Sequence, residues 1–401
     1  MKKRMMILGA GIYQVPLIRK AKKIGLETVV VSPVGDYPGI PLADLHLDID
    51  TTDVDRVVKA ATDYSIDGIT TTGTDVCIPA LGKVVDTLGI PGTGYEAALA
   101  STAKVLMKQA FAQHKVPTAA FQPFTDPHAA QIFADQLGYP VMVKASDSSG
   151  SRGVTKVGSK SEFQFAYDRA LAASRSAEII VEDFLEGFEF GAQAIVHGNR
   201  VVAVIPHRDT VSRAPFMTPI GHALPMTLSN SQRDEVFSVV ARAVSALGIR
   251  DCISNVDLVM VDGEPKIIEI GARMGATCLP ENLSIFSGTD FYEYLLRLAL
   301  GDFQGFEGLS ELPNASLLIR SSKTGEVKSI WIPDEVFDHP DLIELQWDIT
   351  AGSYVRKFEV GPDRIGHLIV KAQTAEDAEQ LAHYLVSLIT VEVNTTKSGR
   401  K

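Results

Sequence analysis

The chain of 401 residues is 45% hydrophobic and 22% charged, which is typical of a globular protein with two or three domains. Its formal net charge of −11 disfavours a nucleic-acid-binding surface, because binding phosphates requires clustered Lys and Arg. No apolar stretch approaches the roughly 18 residues of a membrane-spanning helix, and the short apolar run near the N-terminus does not fit a signal peptide.

The first hundred residues alternate between strand-like and helix-like stretches. An apolar run at 5–8 precedes a helical stretch at 15–25, and the alternation continues through the stretches 26–33, 53–66, 67–73 and 77–90. This βαβ pattern predicts a doubly wound, mostly parallel sheet. The glycines and the proline of 89–94 predict a domain boundary near residue 100.

The turn Gly9-Ala10-Gly11 raises the question of dinucleotide binding. The third glycine of the G-x-G-x-x-G pattern is replaced by Gln14. The second strand ends in Ser32-Pro33, without the acidic residue that would bind a ribose diol. The sequence therefore favours a tight turn, and an NAD or flavin enzyme becomes the least favoured interpretation.

A second region begins with a predicted helix at 101–115, for which Ser101 is the candidate N-cap. Further on, Lys144 ends an apolar strand and is followed by the serine- and glycine-rich loop 146–153. Such a loop offers many hydrogen-bond donors to phosphates, beside a lysine ammonium. A flexible surface loop has the same composition, so both interpretations stay open.

The hairpin at 255–270 carries two carboxylates. Asp257 and Glu269 lie six positions on either side of Gly263, so strands folded about that glycine bring them nearly opposite each other. Paired carboxylates repel unless a cation lies between them, and Mg²⁺ shared with nucleotide phosphates fits this geometry. A solvated acidic pair is disfavoured, because apolar residues flank both carboxylates. Arg273 follows four residues later and is either a phosphoryl ligand or part of a surface salt bridge.

The stretch after the next apolar strand offers a binding edge for a nucleotide base. It contains Glu182, Asp183, Phe184 and Leu185, and Glu189 follows. A strand-end backbone can pair with adenine, and a nearby carboxylate can hold ribose hydroxyls. A plain connector has a similar sequence.

The last hundred residues predict a small α+β domain with a helix at 374–389 and a polar tail at 394–401. The three cysteines (Cys77, Cys252 and Cys278) are odd in number, and none forms a C-x-x-C pair, which favours a reducing compartment. We therefore expect a cytoplasmic protein. No H-x-x-x-H pair supports a zinc site.

In this order, the motifs resemble the ATP-grasp superfamily of carboxylate–amine ligases. The layout is similar to the branch with biotin carboxylase, the purine-pathway carboxylate ligases and the L-amino-acid ligases. The resemblance implies an α/β and α+β fold. A Rossmann-like pre-ATP-grasp domain would span 1–100, a two-lobed ATP-grasp core 101–304, and a small C-terminal domain 305–401.

The resemblance also implies a role for each motif. ATP phosphates would contact Lys104 and Lys144, and the loop residues Ser148, Ser149, Gly150, Ser151 and Gly153 would close over them. Adenine would be recognised by Glu182 and by the main chain of 183–185, which includes Phe184, and ribose by Glu189. Asp257 and Glu269 would bind Mg²⁺, with Mn²⁺ as an alternative. Arg273 and Lys144 would be catalytic. Gly271 departs from the common E-x-N-x-R pattern, so one of two metal sites would lose a ligand.

The activity implied is ligation of a small-molecule carboxylate to an amine through an acyl phosphate, with release of ADP and phosphate. His207, Arg208 and Arg213 are candidates for gripping a substrate carboxylate, although each could form a structural salt bridge instead. Two alternatives stay open: a bicarbonate-dependent carboxylase similar to carbamoyl-phosphate synthase, and a non-catalytic ATP-binding regulatory protein. Homodimers are frequent in the resembling families.

Overall fold

The computed structural model describes residues 2–148, 152–212, 218–303, 305–306 and 310–395. Backbone contacts divide the chain into two compact units. The first unit comprises Met1–Ile205, Leu228–Gly275 and Tyr292–Phe306. The second unit comprises Pro206–Thr227, Ala276–Phe291 and Glu307–Lys401.

The N-terminal part of the first unit is built around a parallel sheet. Its elements are β1 (Arg4–Leu8), α1 (Val15–Lys23), β2 (Glu27–Ser32), β3 (Leu45–Asp48), α2 (Val54–Asp63), β4 (Gly68–Thr70), α3 (Ile78–Leu88) and α4 (Tyr95–Thr102). The strand order is β3-β2-β1-β4, and every pair is parallel. The βαβ prediction is confirmed. β3 was not predicted, because its four residues are all partly exposed and form no apolar run.

The predicted helix at 101–115 is wrong at its start. Ser101 lies inside α4, where its hydroxyl donates to the Ala98 carbonyl at 2.9 Å instead of capping a helix. Ala103 then adopts an extended backbone, and the next helix, α5, spans Lys104–Gln113. Lys104 is therefore the first residue of its helix.

An antiparallel sheet follows within the first unit. The elements of this part are β5 (Phe121–Phe124), α6 (Pro127–Leu137), β6 (Val141–Ala145), β7 (Val154–Val157), α7 (Phe163–Ala173) and β8 (Ile179–Asp183). The strand order is β5-β8-β6-β7. Apolar residues of α6, α7 and the strands form one buried cluster, so Lys144 on β6 projects from a rigid layer.

The carboxylate hairpin also belongs to the first unit. The elements after β8 are β9 (Phe188–His197), β10 (Arg200–Val211), β11 (Pro219–Leu224), α8 (Asn230–Leu247), β12 (Cys252–Val261) and β13 (Glu264–Gly271). β12 pairs with β9 on one side and β13 on the other. α8 begins directly after Ser229, because Ser229 and Gln232 form a capping box.

The second unit carries the end of β10, β11 and most of the elements that follow β13, whereas residues 292–306 belong to the first unit. The remaining elements of the chain are α9 (Leu279–Ser287), α10 (Phe291–Ala299), β14 (Asn314–Arg320), β15 (Gly325–Trp331), α11 (Asp334–Phe337), β16 (Leu342–Trp347), β17 (Tyr354–Val355), β18 (Arg364–Lys371), α12 (Ala375–Leu388) and β19 (Thr390–Asn394). Antiparallel strands in the order β11-β14-β18-β16 pack against α12. The predicted α/β and α+β fold class is confirmed. Most of the predicted polar tail lies outside the described residues.

Among the described helices, none has both the length and the apolar character needed to cross a bilayer.

Candidate active site

Glu182 is a buried carboxylate that accepts from two lysines. Glu182 on β8 pairs with Met142 on β6. Lys144, two positions further along β6, therefore lies on the same face of the sheet as Glu182. The Lys144 ammonium donates to Glu182 Oε2 at 2.8 Å, and the Lys108 ammonium lies 3.4 Å from the same oxygen. The structure thus brings together two of the sequence-predicted residues, Lys144 and Glu182.

Lys108 is a member of this cluster that the sequence analysis missed. Its ammonium donates to Thr118 Oγ1 at 2.5 Å, and its side chain is almost fully buried. Burial lowers the pKa of Lys108 to about 8, in spite of the attraction of Glu182. Lys108 lies one helical turn after Lys104 on α5, and this i, i+4 spacing was the available signal.

The second oxygen of Glu182 is free to accept a hydrogen bond. Oε1 is buried and has no hydrogen-bond partner among the described residues. Burial on its own raises the pKa of Glu182, but the charges of Lys144 and Lys108 outweigh it and hold the pKa below its usual value. Glu182 is therefore an anion with one open lone-pair position.

Lys104 connects the predicted phosphate loop to the carboxylate hairpin. Its ammonium donates to the Ser148 carbonyl at 2.6 Å and lies 3.4 Å from Glu269 Oε2. Gly153 ends the loop with φ +67°, and a Cβ there would lie 2.6 Å from the Cβ of Ala173. The loop residues Ser149, Gly150 and Ser151 lie outside the described residues.

The predicted base-binding stretch begins at the end of β8. The Asp183 N–H donates to the Ala120 carbonyl at 2.9 Å, and the Lys156 ammonium lies 3.6 Å from the centre of the Phe184 ring. Leu185 is half-buried, and Glu189 is exposed on β9. Among the described residues, the sequence-predicted partner that donates to the Glu182 carboxylate is Lys144.

Asp257 and Glu269 are directly opposite each other on β12 and β13, as predicted. Asp257 is exposed and Glu269 is half-buried, so both carboxylates are accessible. Carboxylate oxygens are hard ligands and suit Mg²⁺. These two residues could hold such an ion.

A relay of two amides orients Asp257. The Gly275 N–H donates to Gln193 Oε1 at 2.9 Å, Gln193 Nε2 donates to Asn255 Oδ1 at 2.6 Å, and Asn255 Nδ2 donates to Asp257 Oδ1 at 3.0 Å. A backbone donor at one end and a carboxylate at the other fix the orientation of both amides. Asn255 precedes Asp257 by two residues, and this same-face spacing was its signal in the sequence.

Arg273 is paired with Asp75, an acid that the sequence analysis did not single out. Nε and Nη2 of Arg273 donate to the two Asp75 oxygens at 2.7 and 2.9 Å. Burial favours the neutral guanidine, but the carboxylates of Asp75, Asp257 and Glu269 outweigh it and raise the pKa of Arg273. The two residues are 198 positions apart, so no local pattern indicates the pair.

The side chain of Gln14 occupies the glycine turn near the N-terminus. The Gly11 N–H donates to Gln14 Oε1 at 2.9 Å, and a Cβ at Gly9 would lie 3.0 Å from the same side chain. An N–H group that would face a pyrophosphate is thus already bonded. This contact agrees with the prediction of a tight turn.

Two of the predicted substrate residues, His207 and Arg208, lie in the second unit. Nδ1 of His207 and Nδ1 of His222 lie 2.8 and 2.6 Å from the same Asp209 oxygen. Burial lowers the pKa of His222, while the two histidines outweigh burial and lower the pKa of Asp209. The cluster combines two imidazoles and a carboxylate, a ligand set also known from metal sites. It forms where β10 and β11 pair, and the spacing of the histidines in the sequence does not reveal it.

Arg208 forms ion pairs with acids of α12. Its guanidinium lies 3.2 Å from a Glu376 oxygen and 3.3 Å from a Glu379 oxygen. Both contacts fit the salt-bridge alternative for Arg208. Arg213 lies outside the described residues.

Two protein-family models match separate parts of the chain. The model for the ATP-grasp (A) domain of phosphoribosylglycinamide synthetase matches residues 102–277. The model for L-amino acid ligase C-terminal domain 2 matches residues 318–394. The first match contains the lysine–glutamate cluster, the carboxylate hairpin and Arg273.

Solved structures match nearly the whole chain, among them the following three. Phosphoribosylglycinamide synthetase from Anaerococcus prevotii is 29% identical, with a TM-score of 0.82 over 98% of this chain and 100% of that one. L-amino acid ligase from Bacillus licheniformis is 20% identical, with a TM-score of 0.80 over 98% and 100%. The biotin carboxylase domain dimer of 2-oxoglutarate carboxylase from Hydrogenobacter thermophilus, in complex with MgADP, ADP and bicarbonate, is 18% identical, with a TM-score of 0.79 over 98% and 91%.

Proposed function

The chain is a member of the ATP-grasp carboxylate–amine ligases, and from this premise we propose that it joins an amino acid or small carboxylate to an amine through an acyl phosphate. In the first step ATP transfers its γ-phosphoryl group to the carboxylate and ADP is formed. In the second step the amine attacks the acyl carbon, an amide bond forms, and phosphate leaves.

The placement of Lys104 is the observation that carries this proposal. Its ammonium lies against both the Ser148 carbonyl and the Glu269 carboxylate, so a phosphate-binding lysine, a glycine- and serine-rich loop and a candidate metal ligand converge. The open oxygen of Glu182 supports a nucleotide base in the same site, because the 6-amino group of adenine is a donor of the required kind.

Each residue group has a distinct task in the proposed mechanism. Lys104 and Lys144 neutralise phosphate charge, and Asp257 and Glu269 hold Mg²⁺, which when bound would screen the phosphate oxygens from the incoming carboxylate. Arg273 stabilises the charge that develops on the transferring phosphoryl group. Catalysis then consists mainly of positioning and electrostatic stabilisation.

An amino acid is the carboxylate that we favour. One matched family is named for an L-amino acid ligase, and the name of the other contains glycinamide, the amide of an amino acid. We extend the proposal to a cytoplasmic homodimer, since homodimers are frequent among the resembling families. Sedimentation velocity of the purified protein tests the dimer.

Mg²⁺-dependent release of ADP tests the function. Purified protein is incubated with ATP, pools of L- and D-amino acids, and amines, with and without bicarbonate. We expect particular amino acids to stimulate release, and chelation of Mg²⁺ to abolish it. Release that depends on bicarbonate alone would favour the carboxylase alternative. ATP binding with no turnover in any pool would favour the regulatory alternative.

The variant Glu269→Ala tests the carboxylate assignment. Loss of one charged group that acts in the transition state lowers the rate about 10²–10³-fold, and we expect a loss of this order. Glu264→Ala is the matched control, because Glu264 is an exposed acid on the same strand, far from Asp257 in the register. Turnover of Glu269→Ala within about tenfold of wild type would contradict the assignment.

A further inference from the structure

The guanidinium of Arg273 has two hydrogen-bonding edges, and Asp75 occupies one of them. Nε and Nη2 donate to the two Asp75 oxygens at 2.7 and 2.9 Å, which is a bidentate pair. On the other edge, Nη1 makes one long contact within the described part of the chain, to the Met274 carbonyl at 3.5 Å. Asp75 therefore orients the guanidinium and leaves an edge for a second anion.

The loop that carries Asp75 is joined to the segment that carries Arg273. Thr72 forms a β-bridge with Met274, and the Gly73 N–H donates to the Met274 carbonyl at 3.1 Å. On its other side, the Thr72 carbonyl accepts from Gln14 Nε2 at 2.5 Å. The glutamine that fills the N-terminal glycine turn thus supports the Asp75 loop.

The side chain of Asp75 reaches into the space that Gly271 leaves open. A Cβ at residue 271 would lie 3.2 Å from Asp75 Oδ1, which is closer than most such contacts. That oxygen has little freedom to move, because Arg273 Nε holds it at 2.7 Å. The asparagine of the common E-x-N-x-R pattern would therefore crowd the Asp75 carboxylate. Gly271 and Asp75 form a complementary pair.

We propose that Asp75 is the positioning residue of Arg273, and that Gly271 provides the room for its carboxylate. The inference rests on the proposed function, because it takes the open edge of Arg273 as the phosphoryl contact. Asp75 acts through Arg273 and touches neither ATP nor the acceptor. Its removal should therefore slow phosphoryl transfer and leave ATP binding intact.

The variant Asp75→Asn preserves the size of the side chain and removes its charge. We expect kcat for ADP release to fall about 10–100-fold, as is usual when a residue that orients a ligand or catalytic group is lost. The KM for ATP should stay within about twofold, because ground-state binding is unchanged. Asp55→Asn is the control, an exposed acid on α2. An unchanged kcat, or a raised KM with an unchanged kcat, would overturn the proposal.

A double-mutant cycle measured by thermal unfolding tests the pairing of Gly271 with Asp75, and it does not depend on turnover. Gly271→Ala should lower the Tm of the wild type, and should lower it much less in the Asp75→Ala background, where the colliding oxygen is gone. Additive effects would overturn the proposal. Failure of the proposed function has a different signature: the wild type would release no ADP with any substrate, while the cycle would still show coupling.

Discussion

The charge balance of the candidate nucleotide site depends on Glu182. One of its oxygens faces Lys144 and Lys108, while the other is buried without a partner among the described residues. An unsatisfied buried polar atom costs about 1–3 kcal/mol, so a ligand that donates to Oε1 gains free energy by removing that cost. The same carboxylate lies against the ammonium groups of both lysines.

The buried ammonium of Lys108 should make stability depend on pH. Its pKa is about 8 in the folded protein and near the ordinary value of 10.5 in the unfolded chain. Between these two values the unfolded chain binds more protons, so the free energy of unfolding rises with pH in that window. We expect the free energy of unfolding of the wild type, compared with that of Lys108→Met, to rise by about 3 kcal/mol across this pH window.

Urea unfolding of both proteins at about pH 7.5, 9 and 10.5 measures this difference. Below about pH 8 both states are protonated, so the difference should be constant there. Lys59→Met is the control, because Lys59 is an exposed lysine on α2 and should give no such trend. A difference that is flat from about pH 8 to 10.5 would contradict the buried-lysine interpretation.

The carboxylate hairpin explains why a local pattern predicted a pairing correctly. The register beyond the turn runs from Val261–Glu264 to Leu258–Ile267, which on its own would place Asp257 opposite Ile268. A bulge after Asp257 adds one residue to β13 and brings Glu269 opposite it. The symmetric count about Gly263 thus gave the right pair, although the sequence does not reveal the bulge.

Gln193 and Asp75, which sequence reasoning missed, make their contacts with elements distant in the chain. Gln193 on β9 meets Asn255 on β12 only because the two strands pair. Asp75 meets Arg273 through a loop of a different sheet. Periodicity and spacing report on a single element, so they predict strands, helices and hairpins but not such pairs.

The amide relay should control the affinity of the hairpin for its cation. Asn255→Leu removes the donor to Asp257 and also removes the Asn255 oxygen that accepts from Gln193 Nε2. We expect the Mg²⁺ concentration for half-maximal ADP release to rise about tenfold or more. Titration of activity with Mg²⁺ measures it, with Met260→Leu near the far end of β12 as the control. An unchanged Mg²⁺ requirement would show that Asp257 needs no such support.

At the scale of the whole molecule, the order of the motifs predicted the family and the fold class, because each motif occupies a continuous segment. The compact units do not follow that order: the first unit is assembled from three separated stretches of the chain. A sequence scan identifies neighbours along the chain and does not reveal which separated stretches pack into one unit. The predicted boundaries near 100 and 304 therefore stay predictions.

Nucleotide binding should protect the first unit selectively, because all the residues that we assign to ATP and Mg²⁺ belong to it. A ligand at about 100 times its Kd stabilises the native state by about 2.7 kcal/mol, which slows exchange through global opening roughly 100-fold. Hydrogen exchange with Mg²⁺ and a non-hydrolysable ATP analogue should therefore slow in β8, β12 and β13, and much less in β14 and β18. The Glu269→Ala variant should lose most of this protection. Equal slowing in both units would mean that the nucleotide stabilises them together, and slowing confined to β14 and β18 would contradict the assigned site.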